Sequence, residues 1–269
     1  MENHICTTCG TQFRATESEP ERCPVCDEER QYIGWGGQEW TTLEDLQKSH
    51  RNSIRKKEDG LYAIGTIPEF GIGQRALLLQ HPEGNILWDC ISLIDEATID
   101  FVKGLGGLSA IAISHPHYYS SMVAWSQAFG NTPIYLHEDD RQWVMRPHGN
   151  IHFWKGETLL LNQSMTLIRC GGHFDGGTVL HWLEGAKSHG ALLTGDIIQV
   201  VQDRRFVSFM YSYPNLIPLP AKKVQRIVDA VEPYAYDRIY GAWWDKNILT
   251  GAKKAVHDSA RRYIGAIKS

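Results

Sequence analysis

An apolar run that stops at a pair of histidines constrains this chain most. Leu108-Ser109-Ala110-Ile111-Ala112-Ile113 has the length and composition of a buried strand, and Ser114-His115-Pro116-His117-Tyr118-Tyr119-Ser120 follows it at once. A strand that ends in His-x-His places two imidazoles at a sheet edge, where both rings can converge on one metal ion. The same kind of junction recurs. Met165 to Arg169 runs into the glycine-rich Cys170-Gly171-Gly172-His173-Phe174-Asp175-Gly176-Gly177, and Ala191-Leu192-Leu193-Thr194-Gly195 runs into Asp196. His115, His117, His173 and Asp196 therefore form a candidate ligand set of imidazole and carboxylate, suited to Zn(II), with Fe(II) or Mn(II) as alternatives.

A second ligand set stands at the start of the chain. The pairs Cys6-x-x-Cys9, followed by Gly10, and Cys23-Pro24-x-Cys26 have thirteen residues between Cys9 and Cys23. Two C-x-x-C turns at this separation aim four thiolates at one ion, and a polar segment of this size needs such an ion to fold. The stretch resembles a zinc ribbon, and also the rubredoxin-like modules of rubrerythrins, which bind iron. The expectation is a structural Zn(II), with Fe as the alternative. Residues 1–40 read as this module and 41–269 as the main domain.

Strand signals dominate the first two thirds of the main domain. Leu61–Ile67, Arg75–Gln80 and Asn85–Asp89 read as strands, the last two joined by a tight turn at Pro82-Glu83-Gly84. Further strands are expected at 133–136, 157–161, 164–170, 178–183 and 191–194. Helices are expected at 95–103, 220–231 and 251–266, and through Met122, Trp125 and Phe129. Arg51 to Lys57 reads as a solvated basic run. Frequent hairpins among helices suit an α/β sandwich better than a doubly wound parallel sheet.

The order of these junctions resembles the metallo-β-lactamase fold superfamily over roughly residues 60 to 245. Asp89 matches that family's early strand-end aspartate, His115-x-His117 the first half of its H-x-H-x-D-H motif, and His173 and Asp196 its later histidine and bridging aspartate. The resemblance implies a four-layer αββα sandwich. It departs from the family at three places: Tyr119 and Ser120 replace the motif's aspartate and second histidine, and Ala242-Trp243-Trp244-Asp245 stands where a last histidine is expected. Those three belong to one metal of a pair, so the resemblance implies a one-metal site.

The leading functional expectation is a hydrolase of a small ester, lactone or thioester, with one Zn(II) held by His115, His117 and His173. Asp196 serves as fourth ligand or base, and Tyr119 donates a hydrogen bond to the developing oxyanion or else fills the vacated space. Trp243 and Trp244 line an aromatic pocket. Two rivals stand beside it. His115, His173 and Asp196 also make a two-histidine, one-carboxylate set resembling the mononuclear iron persulfide dioxygenases. The third reading is a catalytically silent metal-stabilised scaffold or binding protein.

A net charge of −4 argues against a nucleic-acid surface, and no apolar run reaches the roughly 20 residues that span a bilayer. The start of the sequence has no signal-peptide pattern, and the cysteines read as ligands in a reducing compartment, so a cytoplasmic location and a small-molecule substrate are expected. The loops 68–74, 141–156 and 203–219 are expected to set specificity, the last with an aromatic stripe of Phe206, Phe209, Tyr211 and Tyr213.

Overall fold

Seven strands in sequential order form the first sheet: β1 (Arg51–Glu58), β2 (Leu61–Ile67), β3 (Arg75–Leu79), β4 (Ile86–Trp88), β5 (Ala110–Ala112), β6 (Ile134–His137) and β7 (Ile151–Trp154). The chain is described over residues 1–268 in a computed structural model. It divides into two compact units, one of residues 1–136 and 141–153, the other of 137–140 and the residues from 154 on.

In the first unit β1 to β4 pair antiparallel and β4, β5 and β6 parallel. The hairpin expected at Pro82-Glu83-Gly84 joins β3 and β4. Each parallel step needs a crossover, and the helices α1 (Glu96–Gly104) and α2 (Met122–Ala128) supply them. The Asp95 carboxylate caps α1 by accepting the Thr98 N–H. Parallel neighbours place their carboxyl ends at one edge, so Asp89 after β4 and His115 after β5 emerge together.

β1 departs from the sequence reading. The basic run Arg51 to Lys57 lies within the eight-residue edge strand Arg51–Glu58, which pairs with β2 alone, its side chains half-buried or exposed. Charged side chains on an edge strand discourage pairing with other chains, and they also erase the apolar alternation by which strands are found.

The second unit holds six strands in the order β8 (Thr158–Asn162), β9 (Met165–Arg169), β10 (Thr178–Trp182), β11 (Ala191–Gly195), β12 (Arg238–Gly241) and β13 (Asn247–Ile248). β9, β10 and β11 alternate in direction, and β11 and β12 run parallel through the crossover helix α3 (Ala221–Val231). The C-terminal ends of β9, β11 and β12 therefore share one edge, which carries His173, Asp196 and Trp243. Val224, Ile227, Val228 and Val231 recur at helical spacing on α3 and pack with Ile168, Val179, Leu192 and Ile239 from the sheet. Helix α4 (Ala252–Lys268) adds Ala252, Ala255, Val256 and Ala260 to the same core. Burying one such side chain as large as Ile227 stabilises the fold by about 1.5–3 kcal/mol.

Candidate metal centres

Two groups of side chains have the chemistry and spacing to hold a metal ion. Cys6, Cys9, Cys23 and Cys26 form one, His115, His117, His173 and Asp196 the other, and in each group the ligand atoms all lie within 4.8 Å of one another. All eight residues are buried, and none of the four in the histidine group is more than 4% exposed.

The cysteine group is built on two turns. The Gly10 N–H closes the first on the Cys6 carbonyl at 2.8 Å, and the Cys26 N–H closes the second on the Cys23 carbonyl at 2.9 Å. The sulfurs of Cys6 and Cys26 lie 3.6 Å apart and those of Cys9 and Cys23 3.7 Å apart. A disulfide needs about 2.05 Å, so all six cysteines of the chain are free thiols. Hydrogen bonds from the thiols of Cys23, Cys26 and Cys9 push the Cys6 thiol down, while Cys23 leads the groups that push Cys9 and Cys26 up. A cation is what lets all four ionise, so the donor set fits a tetrahedral metal. Phe13 and Val25 complete this small core, with Trp40 edge-on to Phe13 at 4.9 Å.

In the histidine group His115 and His117 follow β5, His173 follows β9 and Asp196 follows β11. The backbone after β5 is pinned just before His115, because the Asp89 carboxylate accepts the Ser114 N–H at 2.8 Å and the Asp89 N–H donates to the Ala112 carbonyl at 2.8 Å. Ser114 Oγ lies 2.9 Å from His115 Nδ1. The turn Pro116–Tyr118 then sets the His117 ring 5.2 Å from that of His115. Asp89 sits at φ +59 and is fully buried, and desolvation pushes its carboxyl up to about 7.

In the second unit Gly171 and Gly172 take positive φ and turn the chain after β9. A Cβ at Gly172 would come within 2.7 Å of Ile227 Cδ1, so the turn lies directly on the α3 core. His173 Nδ1 lies 2.7 Å from the Tyr211 carbonyl and 3.2 Å from that of Met210. Carbonyls only accept, so Nδ1 carries the proton and Nε2 keeps its lone pair, the tautomer a metal ligand needs. The Tyr213 hydroxyl donates to the Asp196 carbonyl at 2.7 Å, so the loop that meets His173 also holds the backbone of Asp196.

Other expectations divide. Tyr119 is buried, with its N–H on the Pro116 carbonyl at 3.2 Å. Ser120 takes positive φ, and its hydroxyl is engaged by Gln74 Nε2 at 2.9 Å and the Cys90 carbonyl at 3.3 Å. Asp245 is outside both metal groups, and its carbonyl accepts from Arg204 Nε. Cys90 and Cys170 are core thiols, the latter pushed up to about 12 by burial. The aromatic stripe of the 203–219 loop splits: Phe209 enters the core, while Tyr213 places its ring 5.7 Å from that of His173. Sequence reasoning missed Ser114, Gln74 and the carbonyl of Tyr211 as supports of the site. The first two are small polar signals among many, and the third is a backbone atom with no signal at all.

Comparison with known proteins places the chain. No protein-family model matches it. It is 53% identical over 271 positions to the uncharacterized protein YmaE of Bacillus subtilis (strain 168), a match that covers 100% of this chain and 98% of that protein. The chain belongs to the YmaE family.

Solved structures similar to this YmaE-family chain include the mono-zinc form of the metallo-β-lactamase FIM-1 from Pseudomonas aeruginosa, with TM-score 0.60, 13% identity and coverage of 80% of this chain and 96% of that one. The metallo-β-lactamase DIM-1 exposed to ceftazidime gives TM-score 0.59 and 13% identity over 79% of this chain and 97% of that one. A metallo-β-lactamase from Erythrobacter litoralis gives 0.57 and 17% over 78% and 96%. At these identities the likeness is one of fold, and the YmaE-family chain has the α/β metallo-β-lactamase fold that its strand-end residues implied. Among the described residues no helix is long and apolar enough to cross a membrane.

Proposed function

We propose that this chain is a metal-dependent hydrolase that acts on a small ester, lactone or thioester with a single ion at the histidine site. The observation that carries the reading is the grouping of three buried imidazoles and one buried carboxylate with ligand atoms within 4.8 Å. His115, His117 and His173 would hold the ion, with Asp196 as fourth ligand or base. This donor set fits Zn(II) first, and Fe(II) or Mn(II) as alternatives. When bound, such an ion brings water to ionise near neutral pH and polarises a carbonyl.

The chain's own residues supply the rest. The Tyr211 carbonyl holds His173 in the tautomer that presents Nε2. Asp196, anchored by Tyr213, takes the proton of the attacking water on its carboxylate when it acts as base. Tyr119, in the position of the missing motif aspartate, donates its hydroxyl to the developing oxyanion. Trp243 and Trp244 follow β12 at the edge that carries His173 and Asp196, and they offer aromatic surface to an acyl chain. The metallo-β-lactamase fold supports a hydrolase by analogy. Six free thiols support a reducing compartment, and we place the chain in the cytoplasm on that ground.

The test is turnover of zinc-loaded protein on a panel of small esters, lactones and thioesters, with His115→Ala and His173→Ala alongside. Loss of turnover together with one ion per chain is expected in both variants. Unchanged metal content and turnover in both would overturn the proposal.

A further inference from the structure

Ser120 stands where the metallo-β-lactamase motif carries a histidine, and here it is tied to the cysteine module instead. The tie begins at the first cysteine turn. Gly10 sits at φ +79, and its carbonyl accepts the Ser92 hydroxyl at 2.8 Å. A Cβ on Gly10 would lie 2.4 Å from Ser92 Oγ, and one on Gly71 would lie 3.2 Å from the Gly10 nitrogen. The backbone of the turn is thus pressed between the loop after β4 and the loop before β3. Two residues further on, the Gln12 N–H donates to the Ser120 carbonyl at 3.1 Å, and Gln12 Oε1 accepts from Arg146.

Ser120 itself is in the left-handed region at φ +44, a conformation that a non-glycine residue keeps only where its surroundings over-determine it. Three contacts do so. Gln12 holds its carbonyl, while Gln74 Nε2 and the Cys90 carbonyl hold its hydroxyl. Ser120 comes three residues after His117, at the exit of the turn Pro116–Tyr118. The entry of that segment is held by Asp89 through Ser114, and the exit by the cysteine module through Ser120.

We propose that the four-cysteine module is a positioning element for His117: an ion held by Cys6, Cys9, Cys23 and Cys26 fixes the Cys9–Gln12 segment, and that segment clamps Ser120 and the histidine turn. The consequence for metal affinity rests on the reading of His115 and His117 as ligands, whereas the clamp does not. The proposal gives the departure at position 120 a purpose. A residue that no longer serves a second metal joins the support of the first.

The experiment compares the full-length protein with Cys9→Ser, which removes a sulfur ligand, and Ser92→Ala, which cuts one clamp contact and leaves all four cysteines. Amide hydrogen exchange is followed in a peptide covering residues 115–122, with residues 252–268 as a control for global unfolding. The affinity of the histidine site is titrated with cobalt(II), read by its visible ligand-field spectrum. Both variants are expected to exchange faster across 115–122 with the control unchanged, and to bind cobalt at the histidine site about tenfold more weakly or worse, the usual size of an outer-shell effect. Wild-type exchange across 115–122 in Ser92→Ala, and in a folded Cys9→Ser that has lost its sulfur-bound ion, would overturn the clamp. Faster exchange in a protein whose histidine site takes no cobalt even as wild type would support the clamp and refute the metal reading of the histidines.

Discussion

Asp89→Asn should make the metal-free protein more stable at neutral and alkaline pH, although the carboxylate is part of the scaffold of the site. Asp89 is fully buried, and desolvation raises its carboxyl from 3.8 to about 7, a rise that its hydrogen bond from Ser114 only partly offsets. A folded value above the unfolded one means that the native state binds the extra proton, so stability is intact below pH 3.8 and falls until the pH passes about 7. The full rise corresponds to an upper limit of about 4 kcal/mol, of which about 3 kcal/mol accrues between pH 5 and pH 8. Asn keeps an oxygen for the Ser114 N–H and carries no charge, so the variant lacks this slope. His137 and His181 are both held below 6.5 by burial and lose stability in the opposite direction as the pH falls, so the difference between wild type and variant isolates Asp89. Urea unfolding of chelator-stripped protein at pH 5 and pH 8 measures it. The variant's advantage should grow by up to about 3 kcal/mol between the two. An advantage that is the same at both pH values would refute burial as the force that governs this carboxyl.

Three further outcomes follow from the site. Tyr213→Phe removes the hydroxyl that holds the Asp196 carbonyl, and should weaken the histidine site for zinc by about tenfold in a chelator competition while the sulfur-bound ion stays. Gly172→Ala puts a Cβ at φ +88 within 2.7 Å of Ile227 and should both destabilise the fold and displace His173, read as a lower Tm together with weaker zinc binding. Removal of the sulfur-bound ion should lower Tm by about 5 °C or more in a thermal scan, because the packing of Phe13 and Val25 rests on the four cysteines.

The parts of this molecule that were legible in its sequence are those where side-chain chemistry and periodicity point the same way. The β5 run and its histidines, the helix capped by Asp95, the apolar face of α3 and the two cysteine turns all announce themselves. Three kinds of feature did not. The edge strand Arg51–Glu58 hides behind its own charges, since an edge exposed to solvent needs no apolar alternation. The Tyr211 carbonyl that sets the His173 tautomer is a backbone atom, and any residue would carry it. Ser120 reads as a lost ligand until the contacts of Gln12 and Gln74 show it holding the exit of the histidine turn. In each case tertiary contact supplied the meaning, and the identity of the residue did not.

Two separate ions per chain are proposed, one held by sulfur alone and one by imidazole and carboxylate. Elemental analysis combined with X-ray absorption at the metal edge tests this on protein loaded with zinc and freed of excess. The expected result is two ions per chain in two environments, one sulfur-only and one of nitrogen and oxygen, with the second lost in His173→Ala and the first retained. A single sulfur-ligated ion per chain, unchanged by His173→Ala, would contradict it.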